Sequence, residues 1–326
     1  MDRCPVEIVD DIFSRACTDG GLTGCSLASV SKAFHAVSLP HRFQSISVHS
    51  AAQIDRLLQR LEDTPHELRR VKHLYVNLPS IESISETRLP PTNACRIERI
   101  LCLIASDLEM FALCSVENWE SLLPVELPAL RELTIYASVS ASAFTHSLQA
   151  PRLERLHIAS YHSLPDNIDA CITRIAPKLT HLRINGVAQD RPNGNLVDAL
   201  DVLSQNTPEN FGFPKTLQQC IIAQAASRTL WYDNTQYLYT SVASQLERIG
   251  AEDTSGRLHV LKISPFKGAT MYWDTSSFDH QAAEVKLNWL DRIAGGQGCW
   301  DPRHIRVIPK GKERPWEEAM QGLAAF

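Results

Sequence analysis

Six-residue runs with apolar residues at positions one, four and six punctuate the chain from residue 43 onward. They read "FQSISV" from Phe43, "VKHLYV" from Val71, "LEMFAL" from Leu108, "LRELTI" from Leu130, "LERLHI" from Leu153, "LTHLRI" from Leu179, "LQQCII" from Leu217 and "LHVLKI" from Leu258. Successive starts lie 28, 37, 22, 23, 26, 38 and 41 residues apart. The alternating close of each run, as in Leu133-x-Ile135, has the period of two that marks a strand. Between the runs, helical periodicity occupies "SAAQIDRLLQRLED", with Ser50 and Gln53 spaced as a capping box, then "ACRIERILCLIA", "DNIDACITRIAP", "NLVDALDVLSQN" and "QYLYTSVASQLERIG". One short strand per unit, with a helix returning the chain, predicts an α/β fold in which parallel strands and helices wind an irregular solenoid over residues 43–294. A doubly wound domain fits less well, because the strands lack long Val/Ile runs and no Gly-rich phosphate loop follows the first.

Ahead of these runs stands "CPVEIVDDIFSRACTDGGLTGCSLASVSKAFHAVSLPHRF", residues 4 to 43. Pro5 suits a first helical position and Glu7 the positive end of the helix dipole, so a helix is predicted from Pro5 to about Ala16. Ile8, Ile12 and Ala16, flanked by Val9 and Phe13, make one apolar stripe, and "TDGG" ends the helix. Leu27, Val30, Phe34 and Val37, at steps of 3, 4 and 3, predict a second helix with a single apolar face, stopped by Pro40. Two short helices bury too little surface to fold alone. Their faces must meet each other, the rest of the chain, or a second protein.

A formal charge of -5 and pI of about 6.2, with charges spread along the chain, give no footprint for phosphate backbones, so no nucleic-acid partner is expected. Nine cysteines, an odd number set in apolar segments, read as buried thiols of a reducing compartment. Asp2 and Arg3 do not open a signal peptide, and no stretch reaches the ~18 apolar residues of a membrane span, so a cytosolic or nuclear protein without membrane attachment is expected. Neither C-x-x-C, H-x-x-x-H nor H-E-x-x-H spacing occurs, so neither a metal nor a cofactor is expected. Cys299, with Asp301 and His304 close by in "GGQGCWDPRH", is similar in outline to a thiol nucleophile with base and orienter. Such groups normally converge from distant sequence, and a Gly-rich turn leading into the strand-like "HIRVIP" of a C-terminal strand and tail, 295–326, is the preferred reading. "KGKER" at 310–314 is too short and mixed for a nuclear signal, and the aromatic "RTLWYDNTQYLY" at 228–239 reads as an insertion packed on the side of the array.

The opening stretch resembles an F-box, particularly as it occurs in fungal proteins, over residues 4 to about 48, giving an F-box domain at 1–48. Pro5, Glu7, Ile8, Ile12, Phe13, Leu27, Val30, Ser31, Lys32 and Phe34 fall on its pattern, while Cys4 replaces the usual leucine and "TDGGLTG" lengthens the connection. The later runs resemble leucine-rich repeats, with Ser138, Tyr161 and Val187 where that family places an asparagine or cysteine. The resemblance implies a non-enzymatic, substrate-recruiting subunit of a cullin-RING (SCF-type) ubiquitin ligase. Pro5, Ile8, Ile12, Leu27, Val30 and Phe34 would dock on the ligase's small adaptor subunit, and the repeats would hold a protein substrate.

In such an array positions three and five and the residue after each run face the concave surface. They are His73, Tyr75 and Asn77; Glu132, Thr134 and Tyr136; Arg155 and His157; and His181, Arg183 and Asn185. Glu132 and Arg155 would pair across strands, leaving His157, His181 and Arg183 as a cationic patch for an acidic or phosphorylated segment. Three alternatives stand beside this reading. In the first, the strand residues simply pair with one another in solvent; in the second, the chain is a leucine-rich scaffold whose first helices only cap it; in the third, it is a cysteine hydrolase using Cys299 and His304.

Overall fold

The computed structural model describes residues 4–78, 93–119, 125–139, 150–159, 164, 167–187, 194–205, 212–224, 233–261 and 275–302. Among them, the chain opens with α1 (Val6–Ala16), α2 (Leu22–Val30) and α3 (Lys32–Ser38). Strands and helices then alternate as β1 (Ser45–Val48), α4 (Ala51–Glu62), β2 (His73–Leu78), α5 (Asn93–Ile104) and β3 (Met110–Trp119). There follow β4 (Glu132–Val139), β5 (Arg155–Ala159), α6 (Ile168–Ile175), β6 (His181–Val187), α7 (Gly194–Ser204), β7 (Gln219–Gln224), α8 (Asp233–Glu252), β8 (Leu258–Leu261) and α9 (Thr275–Ile293). The fold is α/β, with one eight-stranded parallel sheet whose spatial order follows chain order. Two compact units divide it: Met1–Cys114 with Thr275–Cys299 and Ile305–Phe326, and Ser115–Asp274 with Trp300–His304.

The first seven hexamers each enter a strand at their third position and the eighth overlaps β8, and a repeated hydrogen-bond pattern explains the shared register. The carbonyl at position two of one run accepts from two successive amides at the start of the next strand. Gln44 O takes Lys72 and His73 N, Lys72 O takes Glu109 and Met110 N, Arg131 O takes Glu154 and Arg155 N, and Glu154 O takes Thr180 and His181 N. The leucine at position one closes a turn onto the carbonyl three residues back, as Leu130, Leu153, Leu179 and Leu217 do at 3.0–3.2 Å. Positions four and six then stack in register as Leu133–Leu156–Leu182–Cys220–Leu258 and Ile135–Ile158–Ile184–Ile222–Val260. All but Val260 are buried, so the sheet's apolar face is a ladder of alternate residues that a one-residue slip would turn outward.

One register differs from the sequence-based expectation. Leu258 pairs with Cys220, so it occupies position four of the last run rather than position one. The unit therefore begins at Ser255, in a turn where Asp253 Oδ1 accepts from the Ser255 amide and hydroxyl and Oδ2 from the Leu258 amide. A polar turn replaced the leading leucine, and the apolar pattern alone could not register it.

Helices α4 to α7 form within a residue or two of the segments predicted for them, and α8 extends beyond its segment at both ends. At the start of α4 the Ser50 hydroxyl accepts from Gln53 N at 3.3 Å and the Gln53 side chain accepts from His49 N at 2.6 Å, a close relative of the capping box. The strand expected at "HIRVIP", the segment "KGKER" and the start of "RTLWYDNTQYLY" lie outside the described residues; its last seven residues open α8.

Candidate docking surface

α1 presents an apolar stripe wider than its own unit uses. Its inward edge is Phe13, which meets the Phe34 ring at 5.3 Å, followed by the buried Cys17 just past the helix. The outward edge carries Ile8 and Ile12, 52% and 54% exposed, and Val6 at the first turn is 56% exposed. The helix is held in that orientation by polar ties. His41 Nε2 lies 2.7 Å from Asp10 Oδ1, and Gln44 Nε2 donates to Ser14 O at 2.7 Å. Gly20 and Gly21, both at positive φ, turn the chain so that Gly20 O accepts from Ser47 N of β1 at 3.1 Å.

The second predicted helix is two. Ser31 is extended, with φ -162° and ψ 166°, and its hydroxyl caps α3 by accepting from Phe34 N. Just before it, the Ser26 and Ser29 hydroxyls bond back to the Leu22 and Ser26 carbonyls, the local competition that weakens a helix end. Leu27, Val30, Phe34 and Val37 therefore do not share one face. Phe34 and Leu27 are half-buried, whereas Val30 is 64% exposed. Among the described residues, the exposed large apolar side chains are Val6, Ile8, Ile12 and Val30, all in α1 and α2. Pro5, also exposed, is the residue preceding α1 rather than its first helical position.

Gly24 sets how closely α2 approaches the chain leading into β1. A Cβ there would stand 2.8 Å from Arg42 Cα and 3.1 Å from Arg42 O, backbone atoms that cannot swing aside. Gly24→Ala should therefore lower stability by ~1–3 kcal/mol, the usual cost of overpacking, read as a shift of the urea midpoint at constant slope.

The strand positions expected to face a substrate are largely covered, which corrects the expectation of an open surface. Tyr75, Asn77, Glu132, Tyr136, His157 and Arg183 are buried, while His73, Arg155 and His181 are half-buried. Glu132 and Arg155 do lie opposite each other in register, and Arg155 is followed across the sheet by His181. The Glu132 carboxylate, however, accepts from the Trp300 indole N–H at 2.9 Å, and the same Trp300 ring stands edge-on to His181 at 5.8 Å. His157 cannot join a cationic patch. Burial first, then the Arg183 charge, hold its pKa well below the ordinary imidazole value, with a hydrogen bond donated to the Asn185 side chain opposing them, so it is neutral at pH 7.

In the first unit the covering element is α9, which the hexamer and helix patterns did not single out. The Tyr75 hydroxyl donates to Ala282 O at 2.9 Å, the Tyr75 and Trp289 rings meet at 5.7 Å, and Lys286 Nζ lies 2.9 Å from His49 Nε2. Ala282-x-x-Val285-x-x-x-Trp289 has helical spacing and was the available signal. Ser47 Oγ also lies 2.8 Å from His49 Nε2, superficially a hydroxyl with its base. Burial and the Lys286 charge lower the His49 pKa to about 3, however, so this imidazole is too weak a base to activate a hydroxyl near neutral pH.

Cys299 is buried, and His304 lies outside the described residues. Cys114 and Cys220 have thiol pKa values pushed up to about 12 by burial and are inert core residues, but Cys4, Cys95 and Cys102 are exposed, contrary to the expectation that every thiol is buried. Cys95 and Cys102 sit two turns apart on the outer side of α5, whose inner side is Ile97, Ile100, Leu101 and Ile104. Among the described residues no group of three or more His, Cys, Asp or Glu side chains could hold a metal ion, and no helix is long and apolar enough to cross a membrane. Compared with known proteins, the chain matches no family model and no curated protein.

Proposed function

We propose that the chain is an F-box-type adaptor whose first three helices dock on the small adaptor subunit of a cullin-RING ubiquitin ligase, and whose leucine-rich-like solenoid recruits a target protein. The observation that carries this reading is the unspent apolar edge: Val6, Ile8, Ile12 and Val30 stay in water although the same helices bury Phe13. Exposed apolar residues gathered on neighbouring helices mark interaction surfaces rather than solvated ones. Docking would bring a bound protein close to the ubiquitin-charged enzyme and raise its effective concentration, so the chain needs no nucleophile or base of its own. For the target, the half-buried Arg155 and His181 are adjacent strand residues still partly exposed, and the solenoid's binding surface would centre there.

The scaffold reading draws on a different observation, the ties of α1 and the following turn to the strand segment through Gln44–Ser14 and Ser47–Gly20. A mere cap would keep a polar outer side, whereas these helices turn isoleucine and valine outward. Co-expression of the full chain with the small adaptor subunit, followed by size-exclusion chromatography, tests the proposal. Co-elution is expected; separate elution of two folded proteins would leave the scaffold reading.

A further inference from the structure

The interface between β2 and α9 in the first unit carries charge and hydrogen-bonding capacity that its described neighbours do not use. His73, Tyr75 and Asn77 alternate along β2 and so share one face. Against Tyr75, α9 sets Lys286 and Trp289, three residues apart and thus neighbours on the helix surface. Lys286 Nζ lies 5.9 Å from the Tyr75 ring centre, and its one described hydrogen-bond contact is the neutral imidazole of His49. No carboxylate among the described residues pairs with it, and burial lowers its pKa to about 8, the mark of an uncompensated ammonium. Trp289 Nε1, Asn77 Oδ1 and His73 Nδ1 are buried without a hydrogen-bond partner among the described residues. Buried polar atoms of that kind are rare in folded proteins and call for a partner.

The chemistry of these groups selects one class of ligand. An ammonium repels cations, an indole N–H only donates, a neutral imidazole can offer its N–H, and an amide can rotate to present its NH₂. We infer that the β2–α9 interface binds a small oxyanion, a carboxylate or a phosphate, with the Lys286 ammonium supplying the charge and Trp289 Nε1 a directed hydrogen bond beside the Tyr75 ring. Lys286 is half-buried, so the ligand enters past its side chain. The site is separate from α1 and α2 and does not rest on their docking role.

Thermal melting of the full chain at pH 7, titrated with inorganic phosphate or with acetate against sodium chloride at matched ionic strength, tests the inference. A saturable rise in melting temperature is expected with at least one anion. Response to phosphate alone identifies a phosphate site, and response to both a general oxyanion site. Lys286→Met should abolish the rise and Lys286→Arg retain it. Trp289→Phe, which keeps the ring and removes only the N–H, should weaken the apparent affinity ~10-fold or more, the scale of a hydrogen bond to a charged group. Absence of any saturable rise with either anion, or an undiminished rise in Trp289→Phe, would overturn the inference even if Lys286→Met failed to fold.

Discussion

Ile12→Asp combined with Val30→Asp should eliminate the proposed binding to the small adaptor subunit while leaving the chain folded. Both side chains are more than half exposed, so neither substitution opens a cavity or buries a charge in the free protein, and such surface changes typically cost within ~0.5 kcal/mol of stability each. In a complex the same positions would be enclosed by the partner's apolar groups. A carboxylate there must either keep its water, holding the surfaces apart, or lose it at a cost of several kcal/mol. Truncating a central interface residue already costs ~2 kcal/mol or more, so two buried charges should weaken binding by at least ~1,000-fold. Phe13→Asp makes the informative contrast. Phe13 is 3% exposed and packs on Phe34, so that variant should unfold the helical segment itself. Titration calorimetry on the wild type and the double variant, beside their melting curves, checks the prediction. Retention of affinity in the folded double variant would remove the docking role from this face.

Acid should destabilise the protein in a window set by histidines rather than carboxylates. Burial lowers the pKa of His73 to about 4 and of His49 to about 3, each helped by a nearby lysine, and holds that of His157 lower than its ordinary value by a wide margin. In the unfolded chain these imidazoles titrate near 6.5. As pH falls below that value the unfolded chain takes up protons that the folded chain refuses, so stability drops with every step down. For His73 the loss continues to about pH 4 and for His49 to about pH 3. At pH 5 His73 and His49 each contribute a loss of ~2 kcal/mol, a large part of the ~5–15 kcal/mol that holds a typical domain folded, and His157 adds to it in the same direction. Melting temperature should therefore fall steeply between pH 6.5 and pH 5, before most carboxylates titrate. His157→Gln should flatten that slope, since it removes one of the three protons, whereas a melting temperature constant across the window would contradict the burial of these imidazoles.

The apolar positions of the hexamers made the strands legible because strand alternation puts positions four and six on one face, which is buried along most of the sheet. The alternation of a strand and the turn that precedes it admit few other placements. The same logic misregistered the last strand, where Asp253 and Ser255 build the turn with side-chain hydrogen bonds. A break at Ser31 was hidden for a related reason, since a serine cap inside a continuous apolar period looks like a solvent-facing helix residue until its φ is known. Cover over Tyr75 was not legible either. It comes from α9, more than two hundred residues away in sequence, and from a lysine and a tryptophan whose partners only folding could supply. In the second unit Trp300 donates to the carboxylate of the buried Glu132 and flanks the half-buried His181, so a predicted open face became a partly covered one. The outward residues of α1 were legible as an apolar stripe; which edge stays in water depended on Phe13 finding Phe34.

Hydrogen exchange of the full chain, with and without the small adaptor subunit, addresses the docking role most directly. Amides of Val6–Ala16 and Leu22–Val30 should gain protection on adding the adaptor, while those of β5 and β6 stay unchanged. Absence of binding, or protection that appears elsewhere and spares α1 and α2, would contradict it.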